Sequence, residues 1–223
     1  MKIGLNKKFL FKISAALLLI ILGAGFWTII KISEIAKGLP DPKQFSSRQV
    51  SQSSKIYDRT GEVLLYEIYN EEKRTVIPFE EIPEYVKQAT ISIEDKNFYS
   101  HAGFSITSII KGAIIEPLTG KRDRARGGST ITQQLAKNAF LTSERTIERK
   151  VKELILAYWI EQRYSKDEIL NLYFNQIPYG SNAYGIESAS QIYFNKSAEE
   201  LNLTEAALLA SLPKAPTYYS PWG

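Results

Sequence analysis

Glu94 and Asp95 stand side by side at the head of an aromatic-rich segment, EDKNFYSHAGF, which also holds His101, the one histidine in 223 residues. A carboxylate in such a setting can act as a general base, its proton affinity set by burial and by the neighbouring charge. A Glu-Asp pair after a helix is also a common cap or solvent-facing pair, so the pair alone does not decide. Further along, nine basic residues (Lys121, Arg122, Arg124, Arg126, Lys137, Arg145, Arg149, Lys150 and Lys152) meet three acids between positions 121 and 152. Such a local excess predicts an anionic ligand. Arg149, Lys150 and Glu153 fall one turn apart on one face of a helix, where spacing by itself reads as a solvated ion-pair face. Zero cysteines exclude thiolate metal sites, iron–sulfur clusters, disulfides and a cysteine nucleophile. A serine triad or a histidine-rich metal site would have to converge on His101 alone. Ser211-Leu212-Pro213-Lys214 has the S-x-x-K string of serine acyl-enzymes, but a proline interrupts it and the chain has no K-T-G, so nucleophilic serine chemistry is set aside.

The net charge of +4 does not argue for nucleic acid. Lys2, Lys7, Lys8 and Lys12, with no acid in the first 30 residues, account for all of it and leave the body neutral. Behind this arm, Ile13 to Ile30 runs 18 residues without a charge, about 27 Å of helix. Lysines crowded on its N-terminal side predict a cytoplasmic N-terminus and an extracytoplasmic body, in the cytoplasmic (inner) membrane with a single pass. The run exceeds the apolar stretch of a cleaved signal and no clear A-x-A site follows, which favours an uncleaved signal-anchor over a signal peptide or a buried core helix. The organisation expected is a cytoplasmic tail at 1–12, the transmembrane anchor at 13–30, a polar linker at 31–53 and the functional domain at 54–223.

That domain must position the candidate residues mainly on helices. Lys55 to Asp58 and Glu62 to Ile68, joined by Arg59-Thr60-Gly61, predict a small hairpin, the one convincing β signal. Pro83 opens a helix whose apolar stripe runs to Glu94 and breaks at Asp95-Lys96-Asn97. A second helix carries Ile106, Ile109, Ile110 and Ile114 and stops at Pro117; its isoleucine pairs suit contact with lipid as well as an ordinary core. Ser129 is a candidate cap for a third helix through Leu141, Ser143 for a long fourth one with Ile147, Val151, Leu154, Ile155 and Tyr158 on one face, and Ser165 with Glu168 for a fifth. Thr204 starts another, ending before Pro213.

In this order and spacing EDKNFYSHAGF, GGSTITQQ (Gly127 to Gln134), RKVKE (Arg149 to Glu153) and KDEILNLYFNQIPYG (Lys166 to Gly180) resemble the peptidoglycan glycosyltransferases of family 51, the glycan-polymerising domain of class A penicillin-binding proteins and of monofunctional transglycosylases. The likeness covers Lys55 to the C-terminus, and SKIYDRTGEVL is more similar to the bifunctional proteins. It implies a mainly α, lysozyme-like helical domain with a small N-terminal β-hairpin, preceded by one transmembrane helix. The implied reaction polymerises lipid II into β-1,4-linked glycan with inversion and releases undecaprenyl pyrophosphate, in cell wall biosynthesis. By resemblance Glu94 is the catalytic base for the incoming 4-hydroxyl and Glu153 the second catalytic glutamate, which orders the donor pyrophosphate. Lys137, Arg145, Arg149 and Lys150 neutralise that pyrophosphate, with Ser129 and Gln133 donating hydrogen bonds and Asn175 also assigned to substrate binding. Asp95, Phe98, His101, Gly127 and Gly128 shape the surrounding loops, His101 by an orienting hydrogen bond.

No cofactor is obligatory on this reading, although the resemblance allows a divalent cation, Mg2+, bound with the pyrophosphate. The implied partners are lipid II, the lipid-linked glycan, the lipid bilayer and other cell-wall synthesis proteins, and not nucleic acid. Asn171 departs from the pattern, replacing a glutamate many relatives have, while Tyr173 and Asn175 are kept. The chain stops at Trp222-Gly223, before the family's last motif, R-R-x-x-V-L, and before any transpeptidase domain, so the expectation is the N-terminal portion of a penicillin-binding protein. A lysozyme-like lytic enzyme, which would shorten the sacculus rather than lengthen glycan, and a non-catalytic membrane scaffold are the competing readings.

Overall fold

A computed structural model of the chain describes residues 7–43, 52–69, 72–105, 128–142, 144 and 146–220. The expected helix at 106–114, the basic loop 121–126, Gly127, Ser143 and Arg145 lie outside the described residues. The chain divides at Leu39/Pro40 into two compact units.

The first unit is helix α1 (Lys7–Lys37), 31 residues, about 46 Å. Phe11–Lys37 within it is long and apolar enough to cross a membrane, with a mean hydropathy of 2.4 and none of the window buried. An apolar helix with no buried face is not the core of a soluble domain. Its hydroxyls are satisfied internally, Ser14 donating to the Phe11 carbonyl at 2.9 Å and Thr28 to the Ala24 carbonyl at 2.8 Å. The helix continues past Ile30 through a Lys31–Glu34 ion pair of 2.8 Å.

The second unit is mainly helical, as the sequence predicts. Strands β1 (Ser54–Tyr57) and β2 (Leu64–Ile68) form the expected antiparallel hairpin, with Lys55 opposite Glu67 and Ile56 opposite Tyr66. Asp58 closes its turn by accepting from the amides of Thr60, Glu62 and Val63, each at 3.2 Å. A second sheet was not foreseen. Here β3 (Lys73–Arg74) and β4 (Ala183–Tyr184) pair in parallel, with the Arg74 guanidinium 5.1 Å above the Tyr184 ring. Strands of two residues have no alternation to read.

Helices α2 (Glu84–Glu94), α3 (Ile131–Phe140), α4 (Ile147–Glu161) and α5 (Lys166–Gln176) carry the candidate residues. They are followed by α6 (Ile186–Phe194), also unforeseen, α7 (Leu203–Ser211) and α8 (Pro216–Tyr219). The core is Phe98, Ile131, Leu135, Leu156, Ile160, Ile169, Leu170, Tyr173, Phe174 and Tyr179, packed where α3 meets α4 and α5. Helix α2 packs on α7. Ser165 and Glu168 form the predicted capping box. Elsewhere the caps sit one to three residues from their predicted positions: Thr130 caps α3, Thr146 caps α4 and Asn202 caps α7. Several polar residues near each helix start can serve, and tertiary contacts choose among them.

Candidate active site

Glu94 is the last residue of α2, and its partly buried carboxylate has two unlike oxygens. Oε2 accepts from Gln134 Nε2 at 2.5 Å. Oε1 is buried with no hydrogen-bond partner among the described residues. Burial of the carboxylate raises its pKa above the ordinary value; the Gln134 hydrogen bond and the charges of Lys214 and Lys137 oppose the rise, and Asp95 adds to it. A carboxylate held this way is more basic than a solvated one.

Asp95, the residue that ends α2, ties this base to α3. Its Oδ2 accepts the Ile131 amide at 3.1 Å, at the N-terminus of α3, and faces His101 Nε2 at 2.8 Å. His101 Nδ1 accepts the Gly103 amide at 3.1 Å, which places the ring proton on Nε2, toward Asp95. Gly103 cannot be another residue, since φ is +86° and a Cβ would come within 2.9 Å of the Ala157 carbonyl oxygen. The Gly103 carbonyl in turn accepts the Thr130 hydroxyl at 2.6 Å, and Thr130 caps α3. Phe98, fully buried, packs edge-on to His101 at 6.3 Å between ring centres. Asp95, Phe98 and His101 thus brace the loop; a Cβ added at Gly128 would meet no atom of the described residues within 4 Å.

Because Thr130 is the cap, Ser129 lies just outside α3, where its hydroxyl accepts from Lys150 Nζ at 2.8 Å. Lys150 also pairs with Glu153, and Arg149 Nη1 reaches the other Glu153 oxygen at 2.6 Å. Glu153 is 2% exposed. On the same helix the Lys152–Glu148 pair, at 2.7 Å, has a Glu148 side chain 61% exposed. That contrast separates the two readings of the basic helix: Lys152–Glu148 is the solvated pair, and Arg149–Glu153–Lys150 is a built cluster. Arg149 Nε has no hydrogen-bond partner among the described residues, and Lys150 keeps one ammonium hydrogen beyond its two contacts.

One cleft joins these parts, lined by Glu94, Ser129, Gln134, Lys137, Glu153, Pro213 and Lys214. Three of its residues, Gln134, Pro213 and Lys214, were not singled out by the sequence reading as part of the site. Gln134, not Gln133, faces Glu94; Gln133 is 2% exposed and its side chain is taken by the capping box, accepting the Thr130 amide at 2.9 Å. Lys214 comes from the string set aside as a serine-enzyme decoy. A cap assigned to Thr130 would have exposed the first miss, since T-x-x-Q then consumes Gln133. Asn175 is not brought to the cleft. It accepts the Ile77 amide at 3.0 Å, donates to the Ile77 carbonyl at 3.0 Å, and donates to Asn171 Oδ1 at 2.9 Å. Asn171 therefore acts as an acceptor beside Asn175 and carries no charge to the site.

Among the described residues the donors do not fit a protein-held divalent cation. Both Glu153 oxygens are engaged by cations, and among the described residues no three His, Cys, Asp or Glu side chains converge.

The sequence model of the family described as Transglycosylase matches residues 61–223. The chain belongs to that family. It is 48% identical over 194 residues to Penicillin-binding protein 1A of Aquifex aeolicus (strain VF5), covering 87% of this chain and 26% of that one. It is 41% identical over 216 residues to Penicillin-binding protein 1A of Rickettsia bellii (strain RML369-C), covering 96% and 27%. With Penicillin-binding protein 1A of Neisseria gonorrhoeae the figures are 46% over 183 residues, 82% and 22%. The chain thus spans about a quarter of the length of the curated relatives it matches. The family that the four motifs resemble is the family found, and nothing in the comparisons favours a lytic enzyme or a scaffold.

Proposed function

We propose that this chain polymerises lipid II, with the lipid-linked growing glycan as donor and undecaprenyl pyrophosphate as leaving group. The observation that carries the reading is the pairing, within one cleft, of the partly buried Glu94 carboxylate, its pKa raised, and the cations Lys137 and Lys214. The Glu94 carboxylate takes the proton of the acceptor 4-hydroxyl as that oxygen attacks the anomeric carbon from the face opposite the pyrophosphate. The carbon–oxygen bond to the pyrophosphate breaks as the new glycosidic bond forms, which inverts the centre. Charge then grows on the departing phosphate, and preplaced cations stabilise it most at that stage. Lys137 and Lys214 line the cleft, and Lys150 and Arg149 stand behind its Glu153 and Ser129 wall; Arg145 joins them on the family resemblance alone. Glu153 works through its partners, fixing the Lys150 ammonium and the Arg149 guanidinium in place. Gln133 supports the site by holding the start of α3.

Lipid II polymerisation by the detergent-solubilised protein, with binding of a phosphoglycolipid inhibitor read in parallel, tests the assignment. Glu94→Gln should lose on the order of 10² to 10⁴ in turnover while inhibitor binding stays. Lys150→Ala should weaken both. Full turnover in Glu94→Gln ends the reading of Glu94 as base.

We further propose that α1 anchors the domain as a single pass in the cytoplasmic membrane, lysine arm inside and catalytic unit outside, where the lipid-linked substrates present their sugars. Protease added to spheroplasts should remove the domain and spare the arm. Protection of the domain reverses this topology.

A further inference from the structure

Beside Glu94 lies a polar pair, partly buried Gln134 and buried Tyr173, that the mechanism above does not use. Gln134 donates through Nε2 to Glu94 Oε2 at 2.5 Å, and its own Oε1 faces the Tyr173 hydroxyl at 3.5 Å. Tyr173, on α5, is fully buried in the core. A carboxamide can turn either end toward a carboxylate, and only the amino end attracts it. A phenol that must find an acceptor in an apolar core can donate to only one end of that amide, the carbonyl.

We propose that Tyr173 is a positioning residue for the catalytic base: its hydroxyl holds the Gln134 amide so that the amino group is locked onto Glu94 Oε2, which fixes the carboxylate in one orientation. This rests on the reading of Glu94 as base. Several observations agree with it. Burial, together with the nearby negative charge of Glu94, holds the Tyr173 phenol well above its ordinary pKa, so it remains an O–H donor throughout the working range. Tyr179 is likewise raised by burial and by Glu94, so neither tyrosine competes as an anion. The Gln134 bond opposes the rise that desolvation gives the Glu94 pKa, without pairing the carboxylate with a cation that would quench it. The charged groups facing Glu94 are Asp95 on its own helix, Lys137 from α3 and Lys214 beyond α7, with Glu153 and its cations across the cleft. None of them reaches the Tyr173 end of the amide by a hydrogen bond among the described residues.

The test is the pH profile of kcat for lipid II polymerisation by the anchored protein. Tyr173→Phe should move the acid limb upward by about 0.5 to 1 pH unit, with turnover recovering at higher pH and KM little changed. Gln134→Leu should shift the limb in the same sense, and adding Tyr173→Phe to it should shift it no further. Site-specific 3-fluorotyrosine at position 173, a stronger donor of nearly unchanged shape, should move the limb downward; this keeps the test open if the phenylalanine variant does not fold. An unmoved limb, a pH-independent loss, or an additive shift in the double variant overturns the proposal. Glu94→Gln assayed alongside separates the two failures. If it is inactive while Tyr173→Phe leaves the limb in place, the base stands and the positioning role falls; if it is active, the base reading itself has failed.

Discussion

Glu94→Gln should make the protein more stable while making it inactive. In the folded chain the Glu94 carboxylate is pushed by burial toward its neutral form, and one of its oxygens is buried without a partner among the described residues. An unsatisfied buried polar group costs roughly 1–3 kcal/mol, more when charged. The Gln134 bond and the fields of Lys214 and Lys137 return part of that, so a net gain of about 1 kcal/mol on neutralisation is the expectation. For a unit of this size that is roughly 2–4 °C in Tm. The sign with pH follows from the raised pKa. The folded state holds the proton more tightly than the unfolded one, so wild-type stability is complete below the unfolded value near 4.5 and falls as pH rises through the folded value. Glutamine does not titrate. The melting difference, variant minus wild type, should therefore be positive at neutral pH and shrink to nothing as pH falls below about 4.5. Thermal melts of detergent-solubilised protein between pH 4 and 8, beside lipid II turnover, measure both effects. A variant less stable at neutral pH, or an offset that ignores pH, would show that Glu94 is not held against its own charge and refute the reasoning.

Glu153→Ala leaves Arg149 and Lys150 without their shared carboxylate and should cost about 2–4 kcal/mol by denaturant unfolding, whereas Glu148→Ala on the same helix should change stability by less than about 0.5 kcal/mol. Gly103→Ala should cost at least about 2 kcal/mol, because φ is +86° and the new methyl meets the Ala157 carbonyl at 2.9 Å; an unchanged Tm would show that the loop yields freely. Lys214→Met removes a charge that lowers the Glu94 pKa, so the acid limb of turnover should move up, and a limb that stays or falls would remove Lys214 from the field at the base.

Helix α2 and its break at Asp95, the hairpin and the Ser165 box were legible because apolar period, turn residues and capping pairs are local signals. The Arg149–Lys150–Glu153 cluster was legible as three residues on one face, but its burial was not, since that depends on packing against distant segments such as the one that brings Ser129 from just before α3. Gln133 and Gln134 are adjacent, and choosing between them required the helix phase, which a one-residue difference in the cap reverses. Asn175 reads as a site residue in sequence because it falls in a dense motif; its partner Ile77 lies 98 residues away, and no local pattern encodes that pairing. The β3–β4 pair and α6 escaped notice for a similar reason: short elements owe their form to tertiary packing more than to propensity.

Those distant partners also set an order of events during synthesis. The segment that leads into the base is fixed by the Thr75 amide on Ser188, 113 residues later, and by the Tyr85 hydroxyl on the Leu201 carbonyl, 116 residues later. Glu94 therefore leaves the ribosome early, while the surface that seats its helix is made late. At ordinary elongation rates the gap is roughly 5–20 s, during which Ile82 and Val86, buried in the finished unit, have no native cover. Closing loops of that length makes folding slow as well as late. A ribosome stalled before Leu201 should carry a nascent chain whose α2 is open to protease, and the same site should close once α7 has emerged.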